Sequence, residues 1–154
     1  MEQPPATVLE NTDQTTRARA TIIYGRDLSW YVRIVKTVTL GMSCYGVIVA
    51  IAAAAHARGT EYLEASLFLM KTACFLWIGA RVGGRYREPI RVAAMTGGFA
   101  GMGTGLVIAF SKLFVIQEAW TLFNCITEPV VTGIVGYVVA GLGGIAFGPP
   151  RRNS

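Results

Sequence analysis

Residues 91–112 read RVAAMTGGFAGMGTGLVIAFSK, in which 20 uncharged residues stand between Arg91 and Lys112. A helix rises about 1.5 Å per residue, so a run of this length spans about 30 Å, the thickness of the hydrocarbon core of a bilayer. The run also lacks the alternation of polar and apolar residues that is typical of a membrane β-strand. It therefore predicts a transmembrane helix.

Three other runs of the chain have the same character. The four predicted spans cover residues 37–57, 62–80, 92–111 and 129–148. Over the whole chain 53% of the residues are hydrophobic and 15% are charged, whereas soluble domains carry about 25% charged residues. The mean hydropathy is +0.46. We therefore predict an all-α integral membrane protein with four transmembrane helices.

The two ends of the chain are polar. Residues 1–27 form a tail that we expect to be disordered up to about Thr21; it lacks the apolar core and cleavage site of a secretory signal. Asp27 is in a suitable position to cap a juxtamembrane helix that runs directly into the first span. Residues 28–148 are then the transmembrane domain, and residues 149–154 form a short basic tail.

The distribution of basic residues predicts the orientation. If the N-terminus lies inside, the outer loops carry only Arg58 and Lys112. The inner segments then carry Arg17, Arg19, Arg26, Arg33, Lys36, Arg81, Arg85, Arg87, Arg91, Arg151 and Arg152. This asymmetry follows the positive-inside rule. It places both termini on the cytoplasmic or matrix side of a plasma or inner membrane, bacterial or organellar, and it explains the net charge of +5 without a nucleic-acid partner.

Residues 113–127, LFVIQEAWTLFNCIT, allow two interpretations. They either form an interfacial helix on the outer surface or extend the third and fourth helices to a turn near Gln117 and Glu118. The interfacial helix is favoured here, and Pro129 is then expected in the first turn of the fourth helix.

Small residues recur at every fourth position in the last two spans. The third span contains Ala93, Gly97, Gly101 and Gly105, and the fourth contains Gly136, Ala140 and Gly144. Such small-xxx-small rows allow two helix backbones to approach closely. We expect the two rows to pack on each other as a helical hairpin, with a second interpretation, not exclusive of the first, in which a row faces another copy or a partner protein.

Lys71 is the most unusual residue of the predicted spans, because it lies near the middle of the second one. A lysine at that depth is costly unless it is paired or faces water. We expect it to be buried in the bundle and to pair with Glu128, or with a carboxylate of a partner protein. A proton or ion path through Glu61, Glu64, Lys71 and His56 is the less favoured interpretation, because the other helices offer no carboxylate to continue it.

Catalytic and cofactor sites are not predicted. Cys44, Cys74 and Cys125 lie in apolar runs without CxxC spacing, and His56 is the single histidine, so neither a metal set nor a haem pair can be formed. The loop that carries Arg81, Arg85, Arg87 and Arg91 is a candidate site for anionic lipid headgroups.

The sequence therefore predicts a non-catalytic small membrane subunit that packs into a larger complex or homo-oligomer. The alternative is a small transporter or channel component built around Lys71 with Glu61, Glu64 and Glu128. The size of the chain also permits a third class, a holin-like pore former. The expected partners are the lipid bilayer, other membrane subunits or copies of the chain itself, and anionic lipid.

Overall fold

The computed structural model describes residues 22–55, 59–115 and 119–148. These residues form four long helices: α1 (Leu28–Ala54), α2 (Thr60–Ala80), α3 (Ile90–Val115) and α4 (Ala119–Phe147). Two short strands, β1 (Ile22–Ile23) and β2 (Arg26–Asp27), precede α1, and a π-helical turn (Arg81–Arg85) follows α2. All four helices are long and apolar enough to cross a membrane, with mean hydropathies between 1.4 and 2.0. The prediction of an all-α chain with four such helices is confirmed.

Helix α1 begins at Leu28, so the juxtamembrane segment and the first predicted span form one continuous helix. Asp27 occupies the position before this helix with an extended backbone, φ −69° and ψ 147°, but its side chain makes no capping hydrogen bond. The predicted capping role of Asp27 is therefore wrong. The first turn of α1 instead follows directly from a hairpin that ends at the same residue.

The interfacial helix predicted for residues 113–127 is not formed. Residues 113–115 belong to α3 and residues 119–127 belong to α4, while residues 116–118 lie outside the described part. Pro129 lies inside α4 rather than in its first turn. Proline weakens a helix interior, but here it packs against Gly105, which has no side chain to exclude it.

Helix α3 is the centre of the bundle. It packs most extensively on α4 and next on α1, while α2 packs chiefly on α4. The β-strands, the connection between α2 and α3 and the end of α4 meet at one end of the bundle. Arg26 forms an ion pair with Glu88 there, and a Cβ on Gly84 would lie 3.1 Å from the carbonyl oxygen of Phe147.

The interior is apolar, with a few hydroxyl groups. Tyr31, Phe75 and Ile78 are fully buried in the larger cluster. The buried hydroxyls of Thr96 and Thr104 donate to the carbonyl oxygens one turn earlier, at 2.7 and 2.8 Å. These bonds satisfy the hydroxyl groups within their own helix, which is the common solution where water is absent.

A small β-hairpin joins the N-terminal side of α1 to the rest of the bundle. Its two-residue turn, Tyr24 and Gly25, has positive φ at both positions, 50° and 79°, as a type I′ turn requires. The hydroxyl of Tyr31 donates to the carbonyl oxygen of Ile23 at 2.9 Å, and Arg26 pairs with Glu88. The hairpin is thus attached both to α1 and to the connection between α2 and α3.

Candidate functional site

An ionic cluster lies between three helices of the bundle. Glu128 of α4 forms ion pairs with two lysines. Its Oε1 lies 3.4 Å from Lys71 Nζ of α2, and its Oε2 lies 3.0 Å from Lys112 Nζ of α3. The side chains are 12%, 21% and 32% exposed for Lys71, Glu128 and Lys112. The pairing of Lys71 with Glu128 was one of the two arrangements expected from the sequence. We call these three residues the ionic cluster.

The extension of α4 upstream of Pro129 creates this cluster. Because the helix starts at Ala119, Glu128 lies within it rather than in a loop. The sequence interpretation missed Lys112, which was assigned to an outer loop, because α3 was expected to end at Ser111. Lys112 in fact lies within α3. A hint was available: in the alternative interpretation, with helices that extend to Gln117 and Glu118, Lys112 lies near the end of the third helix and therefore near the start of the fourth.

The charge balance of the ionic cluster is positive, with two ammonium groups on one carboxylate. Both carboxylate oxygens are engaged, so the cluster links α2, α3 and α4 through one residue. Charged hydrogen bonds of this kind are stronger than neutral ones, but removing ions from water is costly. The arrangement can therefore fix the relative positions of three helices and can attract an additional anion.

Glu61 and Glu64 do not join the ionic cluster. Both side chains are exposed on the first turns of α2, and Glu128 is the carboxylate that contacts Lys71 in the described part of the chain. His56 lies outside the described residues. A second polar contact links α1 with α2 nearby, where the hydroxyls of Tyr45 and Ser66 lie 2.6 Å apart.

The residues of the two small-xxx-small rows lie between α3 and α4. A Cβ on Gly97 would overlap the carbonyl oxygen of Gly136, and one on Gly136 would overlap the carbonyl oxygen of Gly97. A Cβ on Gly105 would lie 2.6 Å from the Cα of Pro129, and one on Gly101 would lie 2.8 Å from the carbonyl carbon of Thr132. Side chains at these positions would force the backbones apart.

A second close approach joins α2 and the π-helical turn after it to α4, and the sequence interpretation did not single it out. A Cβ on Gly79 would lie 2.8 Å from the Cα of Ala140, and one on Gly83 would lie 3.0 Å from the Cα of Gly144. Gly79 and Gly83 are four residues apart, so the same small-xxx-small spacing was present as a signal. Ala140 and Gly144 therefore lie against α2 as well as α3, since Gly144 also faces the side chain of Ala93.

The arginines proposed to bind lipid headgroups lie at the end of the bundle that carries the hairpin. Arg85, Arg87 and Arg91 are exposed. Arg81 is half-buried, with its guanidinium carbon 4.9 Å from the ring centre of Trp77. Its Nε is buried and has no hydrogen-bond partner in the described residues. The geometry leaves three of the four arginines accessible to a ligand, and the lipid assignment stays a prediction.

Two grooves run along the outer surface of the bundle, one on each side of α3. The α1/α3 groove has a volume of about 470 Å³, and the α3/α4 groove has a volume of about 370 Å³. Phe99 lines both. The α1/α3 groove is lined by Leu28, Val32, Val35, Lys36, Thr39, Leu40, Ser43, Cys44, Val47, Phe99, Gly103 and Val107. The α3/α4 groove is lined by Met95, Gly98, Phe99, Met102, Val130, Gly133, Ile134 and Tyr137.

Within the described residues, no group of three or more histidine, cysteine, aspartate or glutamate side chains is placed to hold a metal ion. Cys44 is exposed, and Cys74 and Cys125 are half-buried free thiols. Comparisons with protein-family models, with curated proteins and with solved structures found nothing that matches this chain.

Proposed function

We propose that this chain is a small non-catalytic membrane subunit that binds other membrane proteins through its lipid-facing surface. The observation that carries this proposal is the pair of grooves flanking α3 on one face of the bundle. Phe99 of α3 lines both grooves, and Leu106 and Phe110 of the same helix are 43% and 53% exposed. A ridge with a groove on each side can interdigitate with the helices of a partner.

The glycine rows and Lys71 contact other helices of the same chain, which supports a bundle whose interior is complete without a partner. The contacts of Gly97, Gly101 and Gly105 with α4 favour the intramolecular interpretation of these rows. The contact of Lys71 with Glu128 removes the need for a carboxylate from a partner. The partner surface is then the outer face of α1, α3 and α4 rather than the glycine rows.

The proposed orientation follows from the end of the bundle at which the arginines lie. Arg26, Arg85, Arg87 and Arg91 occupy the end that carries the hairpin, whereas Glu61 and Glu64 lie at the start of α2. The positive-inside rule then places the hairpin end, with both termini, on the cytoplasmic or matrix side of a plasma or inner membrane.

Purification of the tagged full-length protein from its native membranes in a mild detergent tests this proposal. Native mass measurement and identification of co-purifying proteins are the readouts. A partner recovered in fixed stoichiometry, or a symmetric oligomer, is expected. A stable monomer without a partner would refute the proposal.

The ionic cluster supports a second candidate, a small transporter or channel component. Two ammonium groups and a carboxylate among three membrane-spanning helices are an arrangement that transport proteins use to bind ions. Reconstitution in liposomes tests this function. Loss of anion or proton flux in both Lys71→Met and Glu128→Gln is expected for a transporter, and equal flux in these variants and in the unaltered protein excludes the role of the cluster.

A further inference from the structure

A cleft opens between the turn of the hairpin and the start of α3. It has a volume of about 610 Å³ and is lined by Tyr24, Pro89, Ile90, Arg91 and Val92. This volume exceeds that of either groove beside α3, and it lies within the range of about 300–1,000 Å³ that is typical of ligand-binding clefts. We call it the hairpin cleft.

The contacts of the hairpin hold Tyr24 beside α3. On one side of the turn, Ile23 accepts the hydrogen bond from Tyr31 and packs against the larger apolar cluster. On the other side, Arg26 forms its ion pair with Glu88. Tyr24 itself is exposed, and its hydroxyl has no hydrogen-bond partner among the described residues. The hydroxyl is therefore available to donate to a ligand in the cleft.

Arg91 gives the hairpin cleft a positive charge that no described carboxylate neutralises. Its side chain is exposed and forms no ion pair within the described part of the chain. The nearest acidic residue along the chain, Glu88, is engaged by Arg26. Asp27 is exposed at the open end of the hairpin, where it pairs with Ile22, and it does not line the cleft. The cleft therefore suits an anion.

The position of the cleft along α3 selects the kind of anion. The uncharged stretch of this helix, residues 92–111, rises by about 30 Å, which matches the hydrocarbon core of a bilayer. Arg91 directly precedes that stretch, so it lies at the boundary between the core and the headgroup layer when α3 crosses the membrane. The anionic groups at this depth of a bilayer are lipid phosphates, which basic residues at the ends of membrane spans attract.

The walls of the cleft match both parts of a phospholipid. The guanidinium of Arg91 and the hydroxyl of Tyr24 are donors of the kind that bind phosphate oxygens. Pro89 and Ile90 offer apolar surface beside them, which suits the first carbons of the acyl chains. A phosphate ion free in solution would leave this apolar surface without a contact.

We infer that the hairpin cleft binds the phosphate group of one anionic phospholipid, with Arg91 as its charge partner and Tyr24 as a hydrogen-bond donor. This site is narrower than the one expected from the sequence, because Arg91 alone of the four arginines in the connection lines the cleft. It also includes a residue that the sequence did not single out, since the hairpin supplies Tyr24. The inference is independent of the proposed subunit function.

Native mass spectrometry of the full-length protein in a mild detergent tests the site. Phosphatidylglycerol is titrated against the unaltered protein and two charge-matched variants, Arg91→Gln and Arg85→Gln, of which the second removes an exposed arginine that does not line the cleft. We expect Arg91→Gln to weaken binding of the first lipid by about tenfold to a hundredfold, as for loss of a hydrogen bond to a charged group. Arg85→Gln should weaken it by less than about fivefold, the effect of one surface charge. Equal weakening in the two variants would show a diffuse attraction and overturn the site.

Other ligands and the native membrane identify the occupant. Phosphatidylcholine, whose headgroup has no net charge, is expected to bind more weakly than phosphatidylglycerol, and inorganic phosphate at the same concentration is expected not to displace the lipid. Equal binding of the two lipids, or displacement by inorganic phosphate, would overturn the assignment to an anionic phospholipid. In native membranes, a photoreactive residue at Tyr24 should crosslink to phospholipid. Crosslinks to protein only would show that a partner covers the cleft and would likewise overturn the proposal.

Discussion

Lys71 Nζ lies 3.4 Å from Glu128 Oε1, so that a residue in the middle of α2 is paired with one that directly precedes Pro129 in α4. The other oxygen of the same carboxylate, Oε2, lies 3.0 Å from Lys112 Nζ. Among the described residues, Glu128 is therefore the single negative charge for two lysines on two other helices. Its loss affects more contacts than the loss of either lysine.

Glu128→Gln is expected to destabilise the bundle more than Lys71→Met. The first change leaves two partly buried ammonium groups without a counter-charge, which we expect to lower the unfolding free energy by roughly 1–3 kcal/mol, below the value for a fully buried pair. Lys71→Met removes one charge and leaves the Lys112 contact in place. Thermal unfolding in detergent and a double-mutant cycle between Lys71 and Glu128 provide the measurement. Additive effects would show that the two residues are not coupled.

The two adjacent glycines Gly97 and Gly98 are expected to respond oppositely to alanine. A Cβ on Gly97 would overlap the carbonyl oxygen of Gly136, whereas one on Gly98 would find its nearest neighbour at 3.6 Å, an ordinary contact. Gly97→Ala should therefore destabilise by roughly 1–3 kcal/mol through overpacking. Gly98→Ala should be neutral or stabilise by up to about 1 kcal/mol through helix propensity. The melting temperatures of the two variants, measured in parallel, test this prediction. Equal shifts in melting temperature would contradict the packing of α3 on α4.

The existence of the four helices could be predicted because each apolar run has the length of a bilayer crossing. Their ends could not, because the apolar residues between Lys112 and Pro129 suit either an interface or a longer helix. The resulting extension of α4 is what brings Glu128 to Lys112. For that reason the sequence did not predict Lys112 as a member of the ionic cluster.

The hairpin before α1 was also not predicted, but for a different physical reason from the helix ends. Strands of two residues are too short to show periodicity. The hairpin depends on contacts with residues distant in sequence, such as the pairing of Arg26 with Glu88. The glycine contacts between α2 and α4 were overlooked although Gly79 and Gly83 show the same spacing as the rows that were singled out.

Tyr31→Phe is expected to loosen this hairpin without disturbing the helices. The change removes the hydrogen bond from the hydroxyl to the carbonyl oxygen of Ile23. It retains the ring, whose centroid lies 5.3 Å from the centroid of the Phe99 ring. One hydrogen bond of this kind contributes about 0.5–1.5 kcal/mol, so amide exchange in residues 22–27 should accelerate by roughly threefold to tenfold. Phe99→Leu is the control, because it alters packing and keeps the hydrogen bond. Unchanged exchange in Tyr31→Phe would show that the hydroxyl does not hold the hairpin.

The sidedness of the bundle can be measured by labelling single cysteines with a reagent that does not cross membranes. In a background without Cys44, Cys74 and Cys125, cysteines are introduced at Arg85, at the hairpin end, and at Tyr62, which is 81% exposed near the start of α2. The positive-inside rule predicts that Tyr62→Cys reacts when the reagent is added outside intact cells or organelles, and that Arg85→Cys reacts only after permeabilisation. The reverse pattern would invert the proposed orientation, because the two positions lie at opposite ends of the candidate span Thr60–Arg85, which α2 and the π-helical turn form together. Labelling of both without permeabilisation would contradict a membrane-spanning α2, since one helix that crosses the bilayer cannot expose both ends on the same side.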